Sequence, residues 1–261
     1  TNASADITSY SDIATVDTQA GEISVRLNQG NGTFLDAVIY GVGTEPSSLV
    51  SSDFNGDGKA DLAAANRVGD FGGEVSVLLN DGTGAFRAAV KYFIGPVLYS
   101  LTSSDFSNDG HPDLATAGGG GLFVLLNRGD GTFRDAVSYP VMYGLDGLTA
   151  ADLNGDGKQD IAAPSDGGVF VYLNEGNGTF RDAVAYDFGR TRLGNLLIAA
   201  DLNGDLKPDL VTGQRDLSVL LNEGDGTFSI ETYPISPPLY SEDFAGARPV
   251  APGSDPRPGR A

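Results

Sequence analysis

The sequence predicts an all-β fold built from repeated four-stranded antiparallel sheets, and three observations carry the prediction. First, a ten-residue motif, VxLNxGxGxF, occurs five times: VRLNQGNGTF from Val25, VLLNDGTGAF from Val77, VLLNRGDGTF from Val124, VYLNEGNGTF from Val171 and VLLNEGDGTF from Val219. Its starts lie 52, 47, 47 and 48 residues apart, a period that belongs to repeated supersecondary units. Second, an acidic stretch recurs in step with it, as DFNGDGKAD from Asp53, DFSNDGHPD from Asp105, DLNGDGKQD from Asp152 and DLNGDLKPD from Asp201. Third, glycine supplies 37 of 261 residues while 40% remain hydrophobic, the balance of short strands joined by tight turns rather than of disorder.

The elements of one unit follow in order. YSLTSSDF from Tyr99 reads as a first strand, and the acidic loop follows it. DLATAG from Asp113 is a second strand, closed by a glycine turn; GLFVLLN from Gly121 is the third; after the NxGxG turn, FRDAVSYPV from Phe133 is the fourth. Where apolar residues run without alternation, as from Val124 to Leu126, a strand needs cover on both faces. A ring of sheets packed face to face, a β-propeller, supplies that cover at this repeat length, whereas a β-solenoid usually has shorter repeats. No stretch supports a long helix. Tyr40, Tyr92, Tyr139, Tyr186 and Tyr233 recur at nearly one repeat position and read as packing residues of the fourth strand.

Five turn motifs but four complete acidic loops imply that one blade is split. SDIATV from Ser11 aligns with ADLAAA from Ala60, and LYSEDF from Leu239 aligns with LVSSDF from Leu49. Joined, they complete a blade and remove two exposed sheet edges. The expectation is five blades, at about 46–94, 95–141, 142–188, 189–236 and a composite of 237–246 with 1–45, forming a single domain over 1–246; part of a seven-bladed ring is the alternative. Residues 247–261, rich in Pro and Gly, read as a linker or tail.

A formal net charge of -19 and pI near 4.1 disfavour nucleic acid, whose phosphates need clustered Lys and Arg, and favour cations. Without cysteine there is no disulfide, thiolate metal site or thiol nucleophile. No run approaches the roughly 18 apolar residues of a membrane span. Thr1 is not preceded by a charged and apolar leader, so a removed signal or a trimmed chain is expected.

In each acidic loop, oxygen ligands fall at positions 1, 3, 5 and 9, and the carbonyl of position 7 adds another. That set gives a hard cation such as Ca²⁺ six or seven contacts and suits octahedral Mg²⁺ less well. Glycine at position 6 (Gly58, Gly110, Gly157) allows the sharp turn. It is not an EF-hand, because the closing acid comes at position 9 rather than 12 and a strand follows.

The loop spacing resembles that of the FG-GAP and VCBS repeat families, including the propeller of integrin α chains, and LNxGxGTF is similar to bacterial VCBS-type repeats; the resemblance covers about residues 5–246. It implies four calcium sites. The first takes Asp53, Asn55, Asp57 and Asp61 with the carbonyl of Lys59; the second takes Asp105, Ser107, Asp109 and Asp113 with that of His111. The third takes Asp152, Asn154, Asp156 and Asp160 with that of Lys158; the fourth takes Asp201, Asn203, Asp205 and Asp209 with that of Lys207. Ser107 is a poorer ligand than Asn, and Leu206 stands where a positive φ costs on the order of 1 kcal/mol. DFAGARP from Asp243 lacks acids at positions 5 and 9 and is expected to hold no ion. Four Ca²⁺ would take the formal charge from -19 to -11 (-19 + 8). The family has seven units in integrins and five here, so blade number does not transfer.

In a meander, the loops after strands one and three share one end, so the acidic loops and NxGxG turns lie together. The opposite end carries loops that vary between repeats, where recognition usually sits. Phe71, Tyr99, Tyr143 and Tyr240 are candidates to stack on a sugar or anchor a protein, and Arg67, Arg190, Arg192 and Arg215 to pair with acidic groups. Each also has a plain structural reading as an ordinary loop residue. The lack of Trp counts against a lectin. The only histidine, His111, lies inside an acidic loop, so Ser-His chemistry has almost no material. GGGG from Gly118 precedes a strand, not the helix that phosphate binding uses. The expectation is a non-enzymatic, calcium-stabilised, extracellular or cell-surface module that binds a protein or matrix partner. A carbohydrate-binding propeller, or an accessory or catalytic domain of a secreted polysaccharide-active enzyme, is the alternative.

Overall fold

The computed structural model describes residues 11–142, 144–166, 168–188, 196–213 and 216–234. Among the described residues there is no helix, and nineteen strands form five antiparallel sheets. The first sheet has three strands, β1 (Ile13–Asp17), β2 (Glu22–Arg26) and β3 (Val38–Gly41). Four four-stranded meanders follow. They are β4 (Thr44–Ser52), β5 (Asp61–Val68), β6 (Gly72–Leu78) and β7 (Val90–Pro96); then β8 (Leu98–Ser104), β9 (Asp113–Gly118), β10 (Gly121–Leu125) and β11 (Val137–Pro140). The last two are β12 (Thr149–Ala151), β13 (Asp160–Ser165), β14 (Gly168–Tyr172) and β15 (Val184–Asp187); then β16 (Leu197–Ala200), β17 (Asp209–Gly213), β18 (Asp216–Asn222) and β19 (Phe228–Pro234).

The unbroken apolar strands sit where the sequence pattern requires. Every residue of β9, β10 and β13 is buried, as is Asp61–Asn66 of β5, because each of these strands has a neighbouring sheet on both faces. The fourth strands β11 and β15 are mostly exposed, and β7 is exposed to half-buried. Four core layers separate consecutive sheets. Ile23 and Val25 pack on Leu62, Ala64 and Leu78; Ala63, Val75 and Val77 on Leu114 and Leu125. Ala115, Leu122 and Val124 pack on Ile161, Ala163 and Tyr172; Ala162, Val169 and Val171 on Leu210 and Leu220. The first strands line the inner side, with β4 against β8, β8 against β12 and β12 against β16. This is a propeller-like arrangement of blades. Among the described residues no comparable layer joins the fifth sheet to the first.

One interface repeats between blades. The fourth-strand tyrosine meets the motif phenylalanine of the next blade edge to face: Tyr40 with Phe86 at 5.4 Å, Tyr92 with Phe133 at 5.7 Å, Tyr139 with Phe180 at 5.7 Å and Tyr186 with Phe228 at 5.4 Å. Three of the hydroxyls also accept the backbone N–H of that phenylalanine. The second motif glycine is required by its neighbour. A Cβ on Gly131 would lie 2.7 Å from the Leu79 side chain, one on Gly178 would lie 2.4 Å from Leu126, and one on Gly226 would lie 2.9 Å from Leu173. Tyr40, Tyr92, Tyr139 and Tyr186 therefore pack as their spacing predicts, whereas Tyr233 is 49% exposed.

Candidate functional site: the acidic loops

Each acidic loop connects the first strand of a blade to the second, at the end shared with the NxGxG turn. In the first loop, Gly56 and Gly58 adopt φ of 73° and 81°, which folds successive N–H groups onto Asp53. Its carboxylate accepts hydrogen bonds from Asp57 N (3.1 Å) and Gly58 N (2.7 Å). Asn55 Oδ1 also accepts from Asp57 N (2.9 Å), and Asp57 Oδ1 accepts from Lys59 N (3.0 Å). Asp152, Asn154 and Asp156 repeat this pattern in the third loop, and Asp201, Asn203 and Asp205 in the fourth. Leu206 takes the turn position at φ 69°, as its place in the motif requires. In the second loop Asn108, at φ 58°, stands where the others have glycine, and Ser107 leaves the Asp109 N–H to Asp105 alone.

Position 9 lies deeper. Asp61, Asp113, Asp160 and Asp209 are wholly buried. One oxygen of each accepts the N–H of loop position 2 (Phe54, Phe106, Leu153, Leu202) and the other accepts the N–H of the motif asparagine (Asn80, Asn127, Asn174, Asn222), at 2.7–3.0 Å. This carboxylate ties the acidic loop to the neighbouring turn. Burial pushes the pKa of Asp61 and Asp113 up, and that of Asp160 to about 6, against the pull of the two amides; the charges of Asp156 and Asp152 add to the rise at Asp160. At the exposed Asp201, the amides of the turn, Gly204 first, hold the carboxyl low.

The asparagine then latches blades together. Nδ2 of Asn127, Asn174 and Asn222 donates at 2.9 Å to a carbonyl of its own blade (Pro112, Gln159, Pro208) and to the position-2 carbonyl of the preceding blade (Phe54, Phe106, Leu153). The position-7 side chains lie over the first motif glycine, Lys59 on Gly82, His111 on Gly129, Lys158 on Gly176 and Lys207 on Gly224. The three lysine ammoniums reach the position-5 carboxylates, at 3.5, 3.1 and 3.5 Å. At Asp156 burial is the largest single effect and pushes the carboxyl up, but the hydrogen bonds and charge of Lys158, with Asn154, together bring it below its ordinary value.

The donor chemistry fits a hard divalent cation. Positions 1, 3 and 5 present carboxylate and amide oxygens, with the Ser107 hydroxyl in the second loop, each loop concentrates three acids, and in the first, third and fourth loops a lysine at position 7 pairs with the position-5 carboxylate. Among the described residues, however, no three acidic or histidine side chains gather on a common point, because positions 1 and 9 are turned toward backbone amides. A carboxylate oxygen engaged by one amide keeps a second lone pair, so those bonds do not consume the donor set.

Of the candidates on the opposite loops, Phe71 is 85% exposed in the turn between β5 and β6, and Tyr99, in β8, holds its hydroxyl above Gly119 in the turn between β9 and β10. Arg67 bonds the carbonyls of Gly69 and Asp70 and pairs with Glu45, and so serves its own hairpin. Tyr143, Arg190, Arg192, Arg215 and Tyr240 lie outside the described residues. Sequence reasoning missed Asp12. It takes the position-9 role in the first sheet, its Oδ1 accepting Asn28 N at 2.7 Å. The signal was present, since SDIATV had already been aligned with ADLAAA.

Fold and loops together define a repeat protein of propeller type with an acidic loop in each complete blade. The FG-GAP-like repeat matches residues 9–64, 105–163 and 152–212, more than half of the chain, which therefore belongs to that family. No curated protein matches. Three solved structures show an overall likeness. One is an Agrocybe aegerita lectin described for specific recognition of non-reducing terminal N-acetylglucosamine (20% identity, 85% of this chain, 79% of that chain, TM-score 0.46). The others are the Photorhabdus luminescens Tc holotoxin pore (16%, 87% and 12%, 0.41) and the V. cholerae biofilm matrix protein Bap1 (18%, 83% and 34%, 0.49). Likeness of this degree concerns the trace of the chain alone.

Proposed function

We propose that the chain is a calcium-stabilised binding module, in which the acidic loops hold Ca²⁺ at one end of the blades and the irregular loops at the other end recognise a protein or glycan partner outside the cell. The observation that supports it most directly is the contrast between the two ends. The acidic end repeats the same hydrogen bonds from blade to blade, while the opposite end breaks the repeat and exposes Phe71, Tyr99, Met142 and Leu196. Repeated scaffolding at one end and irregular apolar side chains at the other is how repeat proteins divide stability from recognition.

In the bound state Asp53, Asn55, Asp57 and Asp61 with the Lys59 carbonyl, and their counterparts in the other loops, would hold the ion, and its charge would offset the crowded carboxylates. An extracellular setting follows from the metal, since many sites of this kind fill at about millimolar Ca²⁺. Catalysis has no part in the proposal: the ring of His111 is committed to packing on Gly129. A glycan array and a panel of matrix proteins test the partner. Phe71→Ser with Tyr99→Ser should abolish binding to whichever ligand is found and leave calcium uptake intact; undiminished binding would move recognition off this end.

A further inference from the structure

Three of the four acidic loops carry a lysine at position 7, and its contacts are the same each time. Its backbone N–H donates to one oxygen of the position-5 carboxylate, Lys59 to Asp57 Oδ1, Lys158 to Asp156 Oδ1 and Lys207 to Asp205 Oδ1, each at 3.0 Å. Its ammonium pairs with the other oxygen, Oδ2, at 3.5, 3.1 and 3.5 Å. One residue thus grips both oxygens of an acid.

The fold supplies a seat for this grip. Each lysine stem lies across the NxGxG turn, where a Cβ on Gly82, Gly176 or Gly224 would come within 2.4, 2.7 and 2.7 Å of it. Lys207 Nζ also donates to the Glu223 carbonyl of that turn at 3.0 Å. In the second loop the ring of His111 takes the seat on Gly129, and its backbone N–H donates to Asp109 Oδ1 at 3.0 Å. Among the described residues no cation meets Asp109 Oδ2. The acids Asp53, Asp57 and Asp61 with Lys59 carry a formal charge of -2, whereas Asp105, Asp109 and Asp113 with a neutral His111 carry -3.

We infer that Lys59, Lys158 and Lys207 are tethered counter-ions: each stabilises the position-5 carboxylate of its loop when no metal is bound, and each lowers the affinity of that loop for a divalent cation. The second half of this inference rests on the reading of the loops as calcium sites. An amide on a carboxylate oxygen carries no net charge and leaves a lone pair for a metal, but an ammonium there repels a second cation. An ion that binds Asp57, Asp156 or Asp205 therefore does so against the lysine or displaces it, and the flexible stem lets Nζ swing out to water. The lysines thus make three loops less dependent on calcium and less avid for it. The second loop, with His111 in the seat, depends on a cation from outside the chain.

Glutamine keeps the stem and the backbone carbonyl of each lysine and removes only the charge. Lys59→Gln, Lys158→Gln and Lys207→Gln in one chain should melt about 3 °C below the unmodified protein in EGTA at low salt, a gap that roughly 1 M NaCl closes. In a calcium titration the same variant should reach half-saturation at roughly a third of the calcium. Lys59→Arg, Lys158→Arg and Lys207→Arg together should keep both values near those of the unmodified chain. His111→Lys should move both the other way, to a higher melt in EGTA and weaker uptake. A melt in EGTA that the glutamines leave unchanged, or a loss that salt does not touch, would overturn the inference; so would calcium uptake that the glutamines leave unchanged or weaken. A chain that takes up no calcium, yet whose melt in EGTA falls with the glutamines, would overturn the calcium reading of the loops and uphold the counter-ions.

Discussion

At position 6 of the acidic loop three blades carry glycine and the fourth carries Leu206, whose side chain is 91% exposed at φ 69°. A leucine in the left-handed region buries nothing and strains its backbone, so Leu206→Gly should raise stability by up to about 1 kcal/mol, read as a shift in denaturant midpoint. An unchanged or lowered midpoint would mean that entropy of the unfolded chain outweighs the strain. This residue was legible from the motif alone, because turn chemistry is local. Position 9 was legible only in part. Its acid is expected as a ligand, but that the same carboxylate also accepts two backbone amides depends on a partner such as Asn80, nineteen residues away, and no local pattern encodes that distance.

At the scale of elements, the repeat announced four strands per unit and their two-sided burial, because apolar runs such as Val124–Leu126 have few other places to go. The joint between blades was not announced. LNxG reads as a hairpin turn, yet Asn174 spans 68 residues to bond the Phe106 carbonyl and also bonds that of Gln159. The bond to Phe106 is buried and that to Gln159 partly so, and truncation leaves carbonyls short of partners, so Asn174→Ala should cost about 2 kcal/mol, checked by chemical denaturation. A cost no greater than that of an exposed asparagine substitution would remove the latch from the account. The glycines that follow belong to the same joint: they look like turn residues and are also the seats for Lys158 and for Leu126 of the preceding blade.

For the whole molecule, charge is the main tension. A formal charge of -19 is spread over a repeat that gathers its acids at one end of every complete blade, where a lysine covers one carboxylate in three of the four acidic loops. Such a surface repels itself unless cations share it. Binding to the folded chain alone adds about 2.7 kcal/mol per site at a hundredfold excess over Kd. Four sites of that kind raise the melting temperature by more than about 10 °C, a gain that excess EGTA should reverse. The most direct test is a calorimetric titration of Ca²⁺ into chelator-stripped protein, with melting followed in the same samples. Saturation at four ions per chain, with the melt rising as they bind, is the expected result. No uptake at millimolar calcium and a melt indifferent to EGTA would show that the lysines and loop amides alone hold the acids together.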